Sequence, residues 1–66
     1  MKKETIERIK HNAENGADTV IGAYTYTVNF WVGSVVRCKT ADIGREWLDD
    51  LGRVYSAWEV VASLDD

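Results

Sequence analysis

The run YTYTVNFWV, residues 24–32, alternates with a period of two, and this constrains the fold more than any other stretch of the chain. Successive side chains of an extended strand point to opposite faces. Tyr24, Tyr26, Val28, Phe30 and Val32 therefore share one side, and Thr25, Thr27, Asn29 and Trp31 the other. The β-branched and aromatic content suits a strand covered on one face. Gly22 and Ala23 suit a tight turn before it, which makes Thr19–Ile21 a short first strand, and Gly33-Ser34 marks the turn after it.

The pattern also predicts a register for the second hairpin. A two-residue loop pairs Phe30 with Arg37 and Val28 with Lys39, which places charge on the apolar side. A three-residue loop, residues 33–35, pairs Val32 with Val36, Phe30 with Cys38 and Val28 with Thr40. That keeps one face apolar and sets Trp31 opposite Arg37 on the outer face.

A sheet of this kind needs a cover, and two segments offer one. Residues 3–14 place Ile6, Ile9 and Ala13 at helical spacing, with Glu4 and Glu7 in the first half, where carboxylates complement the helix dipole. Asn15-Gly16 then stops that helix. The stretch DIGREWLDDLG, residues 42–52, reads as a second, amphipathic helix with Asp42 as N-cap. Asp42, Glu46, Asp49 and Asp50 fall on one flank, and Ile43, Trp47, Leu48 and Leu51 on the other.

After Gly52 the pattern is divided. Trp47, Leu51, Val54, Trp58 and Val61 continue a helical spacing, whereas the glycine and the Val-rich, aromatic run favour a strand over residues 54–62. The strand is preferred. The expected class is α+β: one small domain, residues 1–66, with an N-terminal helix, an antiparallel β-meander, a C-terminal amphipathic helix and a final strand, or a continued helix in the alternative.

With 66 residues, the chain buries a limited share of its surface, and domains of this size lean on disulfides, metals or oligomerisation. Cys38 is the single cysteine and His11 the single histidine, so neither an internal disulfide nor a Cys/His zinc site can form. The start lacks the apolar core of a secretion signal, and no run approaches a membrane span. A compact cytoplasmic protein without membrane contact is expected.

Catalytic groups are scarce. Cys38 falls on the apolar face, where a thiol packs rather than reacts, and His11 closes a helix as a solvent-facing cation. Asp49 and Asp50 diverge by ~100° on a helix, which does not make an acid–base pair. No phosphate-binding glycine loop, nucleophile elbow or metalloprotease motif occurs. The expectation is a protein that is not an enzyme and takes no cofactor or metal.

Charge is more informative. Residues 1–40 hold six bases and four acids, a balance of +2, and residues 41–66 hold two bases and seven acids, a balance of −5. The acids of the second helix form a row spaced about 6 Å along its axis, from a rise of ~1.5 Å per residue. Such a row is either a solvated face or a surface for a basic partner that otherwise holds phosphates. Glu59, Asp65 and Asp66 extend the acidic field, which steers encounter. Residence needs an anchor as well, and Trp31, the large ring on the polar side of its strand, is the candidate. A cation–π contact with Arg37 explains that ring equally well.

With its length, its lack of catalytic motifs and the acidic segment ADIGREWLDD, the chain resembles the small acidic proteins that phages use against host defences, notably the anti-CRISPR proteins. The resemblance implies a non-enzymatic inhibitor in the host cytoplasm that occludes the basic surface of a nucleic-acid-binding complex. Partner-binding residues would then be Asp42, Glu46, Asp49, Asp50, Trp31 and Glu59. Two other classes stay open. One is a nucleic-acid-binding sheet whose outer face carries Trp31, Arg37 and Lys39 with Thr25, Thr27 and Asn29. The other is a self-associating module, possible as a homodimer, in which the basic part of one copy meets the acidic part of another.

Overall fold

The computed structural model describes residues 1–44, 47, 48, 51, 54, 55, 57–65. It is an α+β domain in which one helix packs on an antiparallel sheet. Helix α1, Lys3–Glu14, is followed by β1 (Thr19–Ile21), β2 (Tyr24–Asn29), β3 (Ser34–Lys39) and a 3₁₀ turn, Thr40–Asp42. A short hairpin, β4 (Trp47–Leu48) with β5 (Val54–Tyr55), precedes β6 (Glu59–Ser63). The main sheet has the order β1-β2-β3-β6. Among the described residues no helix is long and apolar enough to cross a membrane.

Helix α1 has the predicted bounds and ends as its sequence directs. Gly16 takes a φ of 77°, the left-handed conformation that closes a helix without a Cβ penalty. The helix then lays Ile9 into the core, where it is completely buried beside Tyr26, Val28 and Val35. Ile6, Ala13, Tyr24, Val61, Ala62 and Leu64 close around that group. Asn12 Nδ2 donates to the buried Thr19 Oγ1 at 2.8 Å, which fixes the helix to the first strand.

The second hairpin differs from the predicted register. Asn29 pairs with Ser34, Val28 with Val35, Tyr26 with Arg37 and Tyr24 with Lys39. β2 therefore stops at Asn29, and residues 30–33 form the turn. Cross-strand partners share a face, so Val35, Arg37 and Lys39 join Tyr24, Tyr26 and Val28 on the helix side. Val36 and Cys38 join Thr27 and Thr25 on the opposite side. The expected pairing assumed that β3 is apolar on one face only. Val35, Val36 and Cys38 are all buried, so β3 is covered on both faces and alternation cannot set its register.

A bulge between Val35 and Val36 shifts the pairing with β6 from Ala62 to Val60. Val61 is the extra residue, and both Val61 and Ala62 reach the core group as a result.

The amphipathic helix expected over residues 42–52 does not form in the described part of that segment. Thr40–Asp42 make a 3₁₀ turn, Ile43 is extended, Gly44 has a φ of 81°, and Trp47–Leu48 pair with Val54–Tyr55 as strands. Thr40 is held from two sides: its N–H donates to the Ala23 carbonyl at 2.9 Å, and its hydroxyl meets that of the buried Thr25 at 2.9 Å. The final strand is present as two pieces, β5 and β6, and the described residues there show no continued helix.

Candidate functional site

The hairpin tip between β2 and β3 carries the most exposed run of apolar side chains among the described residues. Phe30, Trp31 and Val32 are consecutive and show 53%, 96% and 61% of their surface to solvent. Their positions follow from the residues on either side. The Asn29 side chain accepts the Trp31 N–H through Oδ1 at 3.1 Å, an Asx turn that bends the chain away from the ladder. Gly33, at a φ of 69°, returns it, and its N–H donates to the Asn29 carbonyl at 2.9 Å. The Gly33 carbonyl in turn accepts the Leu64 N–H at 2.9 Å, which ties the tip to the chain beyond β6. The apolar side chains thus stand on a backbone held at several points.

Trp31 is where the sequence reading placed an exposed ring, but for another reason. It does not face Arg37 across a pair of strands, and no cation–π contact joins them: Arg37 pairs with Tyr26 on the ladder and stacks on Tyr24, its Cζ lying 4.3 Å from that ring's centre. The predicted nucleic-acid face is not assembled either. Arg37 and Lys39 lie on the helix side of the sheet, Thr25 and Thr27 on the opposite side, and Trp31 at the tip.

The acidic candidates separate. Asp42 closes the 3₁₀ turn, half-buried, near Cys38. Glu59 accepts Arg37 Nε at 2.6 Å and is engaged within the fold. Glu46, Asp49 and Asp50 lie outside the described residues, as does Asp66, while Asp65 is exposed just beyond Leu64.

A second feature escaped the sequence reading. Tyr24, Arg37, Cys38, Lys39, Asp42, Ala57 and Glu59 line an open recess of about 280 Å³ where β3 outruns β6. One cation and one carboxylate answer each other there: the bond to Glu59 is the main cause that raises the Arg37 pKa above its ordinary value. Burial, with a smaller contribution from Asp42, raises the Cys38 thiol, which therefore stays protonated at neutral pH. Arg37 and Glu59 thus bind β3 to β6. Nothing in the spacing of Tyr24, Arg37 and Glu59 announces this cluster, because it depends on the strand order.

No protein-family model, curated protein or solved structure matches the chain.

Proposed function

We propose that this chain is a non-enzymatic protein-binding module that seats the Phe30-Trp31-Val32 tip in an apolar pocket of a basic partner and thereby occludes a surface used for nucleic acid. The observation that carries this reading is the exposure of three consecutive large apolar side chains on a hydrogen-bonded turn. Solvating such a group is unfavourable, and exposed apolar patches of this kind mark interaction sites. The tip offers roughly 400 Å² of exposed surface, about half of the ~800 Å² each partner gives to a standard interface. It suits an anchor within a larger footprint, and tryptophan is the residue most enriched in such anchors.

The basic character of the partner rests on charge. The balance of −5 over residues 41–66 attracts a cationic surface, and Asp65 stands next to Leu64, whose N–H is bonded to Gly33 of the tip. In this reading the acids steer and the tip holds, a division that replaces the acidic helix as anchor. Occlusion of that kind is what a resemblance to small anti-defence inhibitors implies, and its setting would be the cytoplasm of the cell that holds the target.

The test is competitive capture from the native host lysate. Wild-type protein on a support should retain a basic protein that a single-stranded oligonucleotide releases. Trp31→Ala and Phe30→Ser supports should lose it while remaining folded by circular dichroism. Retention of the same protein by both tip variants would refute the anchor, and failure of oligonucleotide to compete would refute occlusion.

A further inference from the structure

At the end of α1 the fold presents a chemically labile pair. Asn15 and Gly16 are both exposed, and nothing lies within 4 Å of the place a Gly16 Cβ would occupy. A glycine after asparagine leaves its backbone nitrogen unhindered and its backbone free to turn, which favours cyclisation onto the preceding side-chain amide.

We propose that Asn15 is a site of spontaneous amide loss, held closed by the helix cap and released when that cap frays. In the step, the Gly16 nitrogen attacks Asn15 Cγ and gives up its proton, a C–N bond closes a cyclic imide, and the side-chain nitrogen leaves as ammonia. Water then opens the imide at one carbonyl or the other, giving aspartate or isoaspartate at position 15. Water is the only co-reactant.

The native cap opposes the first bond in several ways. Asn15 has a ψ of 11°, so the Gly16 nitrogen eclipses Asn15's own nitrogen instead of facing its side chain. The Gly16 N–H donates to the Ala13 carbonyl at 3.0 Å, which holds the nucleophile inside the helix end. Asn15 Nδ2 donates to the His11 carbonyl at 2.8 Å, so the leaving group is turned back along the helix. Beyond the pair, the Ala17 N–H donates to the Asn12 carbonyl at 2.8 Å, and Asn12 is itself bonded to Thr19. Attack requires most of these bonds to open together, and helix ends are where such local opening occurs.

The product acts back on the fold. A new carboxylate appears at the negative end of the α1 dipole, beside Glu14. Isoaspartate also inserts a methylene into the backbone and displaces the Gly16 N–H from Ala13. Each change loosens the end of the helix that carries Ile9.

The test follows Asn15 by peptide mapping and mass spectrometry on the full chain in mildly alkaline buffer, folded and in concentrated guanidinium chloride, with Asn12 and Asn29 as internal references. Asn15 should convert fastest of the three in denaturant and at least about tenfold more slowly in the folded protein. Equal folded and denatured rates would overturn the lock. An Asn15 no faster than Asn12 or Asn29 in denaturant would overturn the site itself.

Discussion

Arg37 and Glu59 join the third strand to the last by a charge-assisted hydrogen bond of 2.6 Å at a position where the two residues are also ladder partners. The same guanidinium lies over Tyr24 on the other neighbouring strand. One side chain therefore spans β2, β3 and β6 at the end of the sheet where β6 begins, and it does so on the helix side, where an arginine is tolerated because its head reaches the rim.

Replacing Glu59 with Gln should lower the unfolding midpoint, and Arg37→Ala should lower it further because the stacking on Tyr24 is lost as well. Both effects should shrink with added salt, since both groups are solvent-accessible. Glu14→Gln supplies the control: its partner Lys10 is 4.0 Å away on an exposed helix face, and that pair should contribute little. A thermal melt of the three variants in low and high salt checks the order.

Ile9 is the centre of the core, and its truncation should decide whether the domain folds. Ile9→Val should cost about 0.5–1.5 kcal/mol and Ile9→Ala about 2–5 kcal/mol. A domain of this size has only a few kcal/mol in reserve, so the alanine variant should be largely unfolded in water. Urea titration by far-ultraviolet circular dichroism measures both.

The two ends of the hairpin region show what sequence reasoning reached and where it stopped. α1, the first strand and its glycine turn were legible because each is a local matter of helical spacing, alternation and a glycine that must adopt positive φ. The register of β2 on β3 was not. It depends on both faces of β3 being buried, which the spacing of Val35, Val36 and Cys38 does not announce. The same error placed Phe30 and Val32 in the core, although Asn29 followed two residues later by an N–H it can accept, and then by Gly33, is a turn signal. Trp31 was reached as an exposed ring, whereas helical spacing alone did not reveal the 3₁₀ turn of Thr40–Asp42, where Thr40 is bonded to Ala23 and Thr25.

Cys38 gives the fold a pH dependence of predictable sign. Burial raises its pKa above the ordinary value of 9.0. The unfolded chain, whose thiol is at the ordinary value, then releases its proton first as pH rises. The folded state binds more protons across that window, so the contribution to stability is complete below about pH 9 and declines above it. Cys38→Ala should flatten the alkaline limb of a stability-versus-pH curve. A thiol reagent at neutral pH should label native wild-type protein far more slowly than protein in denaturant, and equal labelling rates would show that the thiol is not shielded.

Gly33 and Asn29 should govern the tip without governing the fold. Gly33→Ala meets no neighbour, so its cost is the strain of a φ of 69°, about 1 kcal/mol. Asn29→Ala removes the acceptor of the Trp31 N–H, a solvent-exposed bond contributing about 0.5–1 kcal/mol. Trp31→Ala should leave stability within about 0.5 kcal/mol, because its side chain is 96% exposed. If the tip is an anchor, Trp31→Ala should nevertheless weaken partner binding by about 2 kcal/mol or more. Asn29→Ala should weaken it less, through an added ordering cost on binding. Urea titrations set beside calorimetric binding to the captured partner separate the two quantities. A Trp31→Ala protein that binds as tightly as wild type would mean that the exposed ring is only a feature of the turn that displays it.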